Sequence, residues 1–309
     1  MKNQGPLEAL ALRTAVAVLA LGQLGPTRAE TLPGHGHLVD EIPRLLEQYS
    51  RLGDFHLPSL SVSELDALAA GEPIVALFRE PSVHSTEQVD AMRVVGWQVV
   101  DAPRLLVWLS ALGGNEVSSA RPSHAVLMQR AAGAYVSYHH ADLPWPVKDR
   151  QWTLLCEKNL TLAEDSHDVI WEHRWSLLTR DDALLDSVYE QHRIPGVTRR
   201  VLDESVYLSE NRGAWIVFDL GASGTLVAAS MDVDSGGQLP DALVRSFAKR
   251  QLRAFFESLS ALRGMRYSGT PVIHDGRGLP IAREAALTAG RFQSDPPRLV
   301  KASATTEGP

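Results

Sequence analysis

The stretch Asp142-Leu143-Pro144-Trp145-Pro146-Val147-Lys148-Asp149-Arg150 decides the fold. Two prolines that cannot donate to a sheet ladder break the pairing between the strand-like runs Ala134–His140 and Gln151–Leu160. A tryptophan between them makes a stiff apolar corner. Asp149 and Arg150 then lead into the next strand, where charge-assisted hydrogen bonds would tie the corner to the sheet. Contact between Arg150 and a ligand headgroup is the alternative. A second turn, Asp232-Val233-Asp234-Ser235-Gly236-Gly237-Gln238-Leu239-Pro240, precedes a long helical run.

Outward from the corner, most of the chain between His124 and Asp232 reads as strand: His124–Arg130, Ala134–His140, Gln151–Leu160, Val169–Leu178, Arg199–Leu208, Ala214–Leu220 and Thr225–Val233. Short connections between most of them require antiparallel pairing. Upstream, Leu38, Ile42, Leu45, Leu46 and Tyr49 recur at helical spacing. Ser61 and Glu64 form a capping-box signal for a helix to Ala70, closed by Gly71. Strands at Pro73–Arg79 and Met92–Val100 and a helix at Ala102–Leu112 follow. Downstream, Leu239–Arg263 carries Leu243, Val244, Phe247, Leu252, Phe255 and Leu259 on one face, and Arg245, Lys249, Arg250 and Arg253 mostly on the other. Gly264–Pro309 lacks sustained periodicity and reads as mostly disordered, with a short helix at Ile281–Thr288. The element order predicts an α+β fold, one antiparallel sheet with helices on one face.

The pattern Pro144-Trp145-Pro146-x-x-Asp149-Arg150 resembles the corresponding corner of START domains, the lipid-carrying branch of the helix-grip (SRPBCC) superfamily. Asp232 through Pro240 resembles the Asp-x-x-Gly-Gly-x-(Ile/Leu)-Pro turn before their last helix. The resemblance spans roughly residues 72–264. It implies a curved antiparallel sheet wrapped around a long C-terminal helix, with an internal apolar cavity. The expected organisation is a signal peptide at 1–29, a helical segment at 30–71, a bacterial-type START-like lipid-binding domain at 72–264 and a tail at 265–309.

The signal peptide is read from Lys2 and Arg13, the apolar run Thr14–Leu24, and Thr27-Arg28-Ala29 as a cleavage site. It predicts a periplasmic or secreted protein. The alternative is a cytoplasmic protein with an ordinary N-terminal helix. The chain has 309 residues and a net charge of −7, so bulk attraction to nucleic acid is not expected. It has no P-loop, zinc-finger spacing or Rossmann fingerprint. Cys156 is the one cysteine and reads as packing. His35 and His37 lack a third ligand at suitable spacing, and His139 and His140 point to opposite faces of a regular strand. No metal or cofactor is expected.

Strand alternation places Trp171, His173, Trp175 and Leu177 on one face, and Glu172, Arg174 and Ser176 on the other. With the tryptophans inward, Trp152, Leu154 and Cys156 would join them, as would Leu202, Glu204, Val206 and Leu208. The expected ligand wall is therefore Trp152, Leu154, Trp171, His173, Trp175, Leu202, Glu204 and Val206, closed by Val244, Leu252 and Phe255 of the last helix. Plain core packing is the alternative for each aromatic, and a satisfied core histidine for His173. Thr179–Gly196 is a long interruption. By the resemblance it would be a lid over the tunnel mouth, with Leu184, Leu185, Val188 and Tyr189 beneath.

Two functions follow. One is non-enzymatic binding or transfer of a phospholipid, fatty acid or sterol-like lipid, with transient membrane contact through the basic face of the last helix. The other is a polyketide cyclase- or aromatase-like enzyme, for which His173, Glu204 and Arg174 are the acid/base candidates.

Overall fold

The computed structural model describes residues 35–81, 90–112, 123–130, 134–143, 147–191, 194, 196–234, 241–267, 273–274, 280–281 and 299–301. The chain separates into two units, Met1–Thr31 and Leu32–Pro309, and every described residue lies in the second. The leader segment, Pro144–Pro146 and Ser235–Pro240 fall outside the described residues.

Helix α1 (His35–Leu52) buries Leu38, Ile42, Leu45, Leu46 and Tyr49 along one stripe, as the spacing predicts. Helix α2 (Val62–Ala69) opens on the expected capping box: Ser61 Oγ accepts from the Glu64 amide, and the Glu64 carboxylate accepts from the Ser61 amide at 2.8 Å. Strands β1 (Ile74–Pro81) and β2 (Asp90–Val100) and helix α3 (Arg104–Leu112) follow. Next come β3 (Ser123–Gln129), β4 (Tyr135–Ala141), β5 (Arg150–Lys158), the short α4 (Leu160–Asp165) and β6 (Ile170–Leu177). Helices α5 (Asp182–Glu190) and α6 (Arg199–Glu204) lead to β7 (Val206–Tyr207), β8 (Glu210–Asp219) and β9 (Thr225–Asp234). Helix α7 (Asp241–Ser260) closes the domain.

These strands form one curved nine-stranded sheet in the order β1-β2-β9-β8-β6-β5-β4-β3, with β7 added beside β5. Every pairing on the main path is antiparallel; β7 alone runs parallel, opposite Arg150 and Gln151. The β8–β9 connection turns at Gly224, whose φ of 102° suits glycine, and a Cβ there would strike the Val100 carbonyl. This is the α+β, helix-grip architecture.

The sheet is covered on both faces, not one. On the outer face, α1 and α2 pack on Val95, Trp97, Ile170, Ile216, Phe218 and Leu226. Tyr49 meets Phe218 edge-on at 5.9 Å. On the inner face, α3 and α7 pack on Val94, Trp171, Val217, Val227 and Ala229. Helix α7 lies over the β1–β2 half and beside α3. A side chain at Gly96 would meet Phe256 Cε2 at 2.6 Å and Leu252 Cδ2 at 2.7 Å, so this glycine lets α7 sit close to β2.

Three element expectations are corrected. Arg199–Leu208 is a helix followed by a two-residue strand, because Thr198 caps the turn by accepting from the Val201 amide. The strand expected at Ala214–Leu220 begins earlier, because Glu210–Gly213 already belong to β8. Within the tail, Met265–Tyr267 pairs antiparallel with Leu299–Lys301, and Ile273–His274 with Pro280–Ile281. Ile281 is therefore in a strand, and the rest of the expected helix to Thr288 falls outside the described residues.

The corner's exit is tied as its residues suggest. The Asp149 carboxylate accepts from the Leu143 amide at 3.0 Å and stands 3.4 Å from His140 Nε2. Arg150 is buried and donates to the Lys148 carbonyl at 2.5 Å.

Candidate functional site

Alternation in β6 divides its side chains as expected. Glu172 faces outward, where its carboxylate accepts from Tyr49 Oη and from Asn159 Nδ2, the latter at 2.8 Å. Trp171, His173, Trp175 and Leu177 face inward. Leu154 and Cys156 of β5 pack against Trp175 there, with half-buried Tyr135, Trp152, Leu177, Trp215 and Met231 around them. The Trp175 indole donates to Asn211 Oδ1 at 2.9 Å. Gly213 leaves room for that ring: a Cβ would collide with Trp175 and lie 2.6 Å from the Ser230 carbonyl.

A line of rings crosses this face. Tyr135 stacks on His173 with centroids 5.9 Å apart, His173 lies 6.4 Å from Trp175, Trp175 lies 5.7 Å from Trp215, and Trp215 stacks on Phe255 of α7 at 4.0 Å. Beside it, Ser137 Oγ lies 3.6 Å from Cys156 Sγ and 2.9 Å from His139 Nε2, and His139 stacks on Trp152 at 5.5 Å. His140 points to the opposite face, toward Asp149 and Ser205.

His173 is buried, with Nε2 3.3 Å from Tyr135 Oη. Burial, reinforced by the nearby Lys158 ammonium, pushes its pKa down to about 3, so the ring is neutral at pH 7. Burial also lowers the Lys158 ammonium to about 8 and raises the Tyr135 hydroxyl and Cys156 thiol.

The expected wall is thus only partly assembled. Trp152, Leu154, His173 and Trp175 stand together, and Trp215 links them to Phe255. Trp171 is separate. It is core beneath α3, edge-on to Trp108 at 5.6 Å, with the Arg104 guanidinium 4.0 Å above its ring. Leu252 is likewise core in the same cluster. The side chain of Val244 falls outside the described residues.

Leu202 leaves the wall altogether, packing with Tyr138, Leu185, Val188 and Ile194. Glu204 is exposed and pairs with Arg200 at 2.8 Å, and Val206 is half-buried in β7. All three were placed inward only by assuming a strand. The lid expectation changes for a related reason. Tyr138 alternates with Tyr135, Ser137 and His139, so it lies on the outer face. Leu185 and Val188 of α5 pack against it there, with Leu184 half-buried and Tyr189 exposed. Gln151, on the same face, donates to the Leu202 carbonyl at 2.7 Å and anchors α6.

The three acid/base candidates do not converge. Glu204 is on α6, Arg174 faces outward toward Asp54 and Glu157, and His173 is inward. Tyr135, Lys158, Trp215 and Met231 were missed. Alternation within their strands could have assigned faces, but only the observed register puts Trp215 opposite His173 and Tyr135 opposite Cys156.

An open groove of about 580 Å³ runs along α1, lined in part by Glu41, Arg44, Glu47, Arg51 and Val169. It lies on the charged outer side, away from the aromatic line. Among the described residues, no cluster of three or more His, Cys, Asp or Glu could hold a metal ion, and no helix is long and apolar enough to cross a membrane.

No protein-family model and no curated protein matches the chain. Solved structures that resemble the chain include START-related proteins. Human StAR-related lipid transfer protein 5 is 14% identical over 74% of this chain and 95% of its own, with a TM-score of 0.46. A STAR-related lipid transfer protein from Xanthomonas axonopodis is 15% identical over 60% of this chain and 93% of its own, with a TM-score of 0.40. The Zhui aromatase/cyclase from Streptomyces sp. R1128 is 16% identical over 54% of this chain and 92% of its own, with a TM-score of 0.35. Lipid transfer proteins and an aromatase/cyclase both occur among these likenesses.

Proposed function

We propose that the protein binds an apolar molecule of lipid class on the inner face of the sheet, in a cavity beside α7, and carries it without chemical change. One observation supports this reading: a half-buried aromatic surface on the half of the sheet away from the main α7 packing. Helix α7 packs on β1, β2 and α3, while Tyr135, Trp152, Leu177, Trp215 and Met231 keep part of their surface open. Covering such surface with an acyl chain would contribute about 25 cal/mol per Å². The dispersal of Glu204 and Arg174 away from His173 weighs against the cyclase reading.

The test is native mass spectrometry of the purified protein, followed by delipidation and titration with a fluorescent fatty acid. A bound lipid, or saturable uptake that Trp215→Ala weakens by roughly tenfold or more, is expected. Lipid-free protein with no uptake would overturn the reading.

The basic side of α7 extends it. Lys249, Arg250 and Arg253 are exposed, and each charge near an anionic membrane surface contributes ~1 kcal/mol. Reversing the three to Glu should slow transfer from anionic vesicles at low salt and leave uptake of solubilised ligand unchanged. Equal transfer rates would remove the docking role. An exported location is part of the same proposal; N-terminal sequencing from the native host should find a mature start near Glu30, and an intact Met1 would refute it.

A further inference from the structure

Three polar side chains meet at one end of the aromatic line. Lys158 and His173 are direct cross-strand partners on β5 and β6, so both project from the inner face. The Tyr135 hydroxyl lies 3.3 Å from His173 Nε2. His173 Nδ1 is buried and has no hydrogen-bond partner among the described residues. Burial keeps the Tyr135 hydroxyl protonated, so it can donate to Nε2. With the hydroxyl as donor, the single proton of the neutral imidazole sits on Nδ1. This arrangement puts an N–H donor without a partner among the described residues on the same face as an ammonium group, and an acceptor bearing negative charge suits both.

We propose that this corner receives the carboxylate of a long-chain carboxylic acid: Lys158 supplies the counter-charge, His173 Nδ1–H donates the hydrogen bond, and the chain runs over Trp175 and Trp215 toward Phe255. The proposal rests on the inner-face reading above and names its ligand class. One cation and one donor match a single negative charge. A phosphate monoester would bring a second charge with no second cation among these three groups. The rings between His173 and α7 offer a continuous apolar path away from the charged end.

Delipidated protein is titrated with oleic acid and with oleyl alcohol at pH 7, following tryptophan fluorescence. The acid should bind roughly tenfold or more tightly than the alcohol, since a charge-assisted hydrogen bond is lost in the alcohol. Lys158→Met should abolish that preference by weakening oleate alone, and Lys158→Arg should restore most of it. Circular dichroism checks that each variant is folded, and Lys158→Gln substitutes if the Met variant is not. Equal binding of acid and alcohol by the unmodified protein, or an unchanged preference in folded Lys158→Met or Lys158→Gln, overturns the carboxylate proposal and leaves the apolar site standing. Failure of both probes to bind overturns both.

Discussion

Acidification from pH 6.5 toward 3 is expected to strip stability that depends on His173. Its pKa falls from the ordinary 6.5 to about 3 on folding, chiefly through burial. Below 6.5 the unfolded chain takes up a proton that the folded ring refuses, so stability falls as the pH drops through this window. The full shift corresponds to a loss on the order of 5 kcal/mol, a large fraction of a typical domain's stability. Replacing His173 with Gln keeps a polar side chain and removes the titration. Urea unfolding of both proteins at pH 7, 5 and 3.5 should show their difference in stability shifting steadily toward the variant as pH falls. Parallel profiles would mean that His173 is hydrated and titrates normally.

Trp171→Ala is expected to cost about 3–5 kcal/mol, the range for removing a large buried aromatic. The ring is fully buried and meets Trp108 edge-on, and the Arg104 guanidinium lies over it. Its indole N–H donates to Asp168 Oδ1 at 2.5 Å. Arg104 also donates to the Asp168 carbonyl and stands 3.5 Å from Asp219 Oδ2, so loss of the ring loosens the seat of a buried cation. The denaturation midpoint should drop while ligand uptake, measured where the variant is folded, stays near that of the parent protein. A midpoint within the equivalent of ~1 kcal/mol would show that the site collapses to fill the cavity. Strong loss of uptake in folded protein would place Trp171 in the ligand wall after all.

The different positions of Trp171 and Trp175 illustrate what a sequence can and cannot reveal. Both fall on the inner face by alternation, and that assignment holds. The division between core and wall does not follow from β6 itself. It depends on α3 lying over one end of the strand and α7 over the β1–β2 half of the sheet. Helix α6 shows a second limit. Leu202, Glu204, Val206 and Leu208 alternate as a strand would, but the cap at Thr198 and burial of Leu202 against Tyr138 select a helical turn. Short apolar patterns are ambiguous between the two periods, and tertiary packing decides between them.

Periodicity by itself determined the long amphipathic helices, most of the strands, the capped start of α2 and the inward face of β6, because each is written in side chains two to four residues apart. It also located His173 as a polar residue among inward tryptophans. Tertiary structure alone decided that β6 lies between β5 and β8, that Trp215 completes the aromatic line and that Lys158 stands opposite His173. It also put α5 and α6 on the outer face, where a lid over the tunnel mouth had been expected. Register and layer are set by the combined burial of many distant residues, and a one-residue slip would exchange the two faces of a strand. That cooperative choice leaves no local mark on the chain.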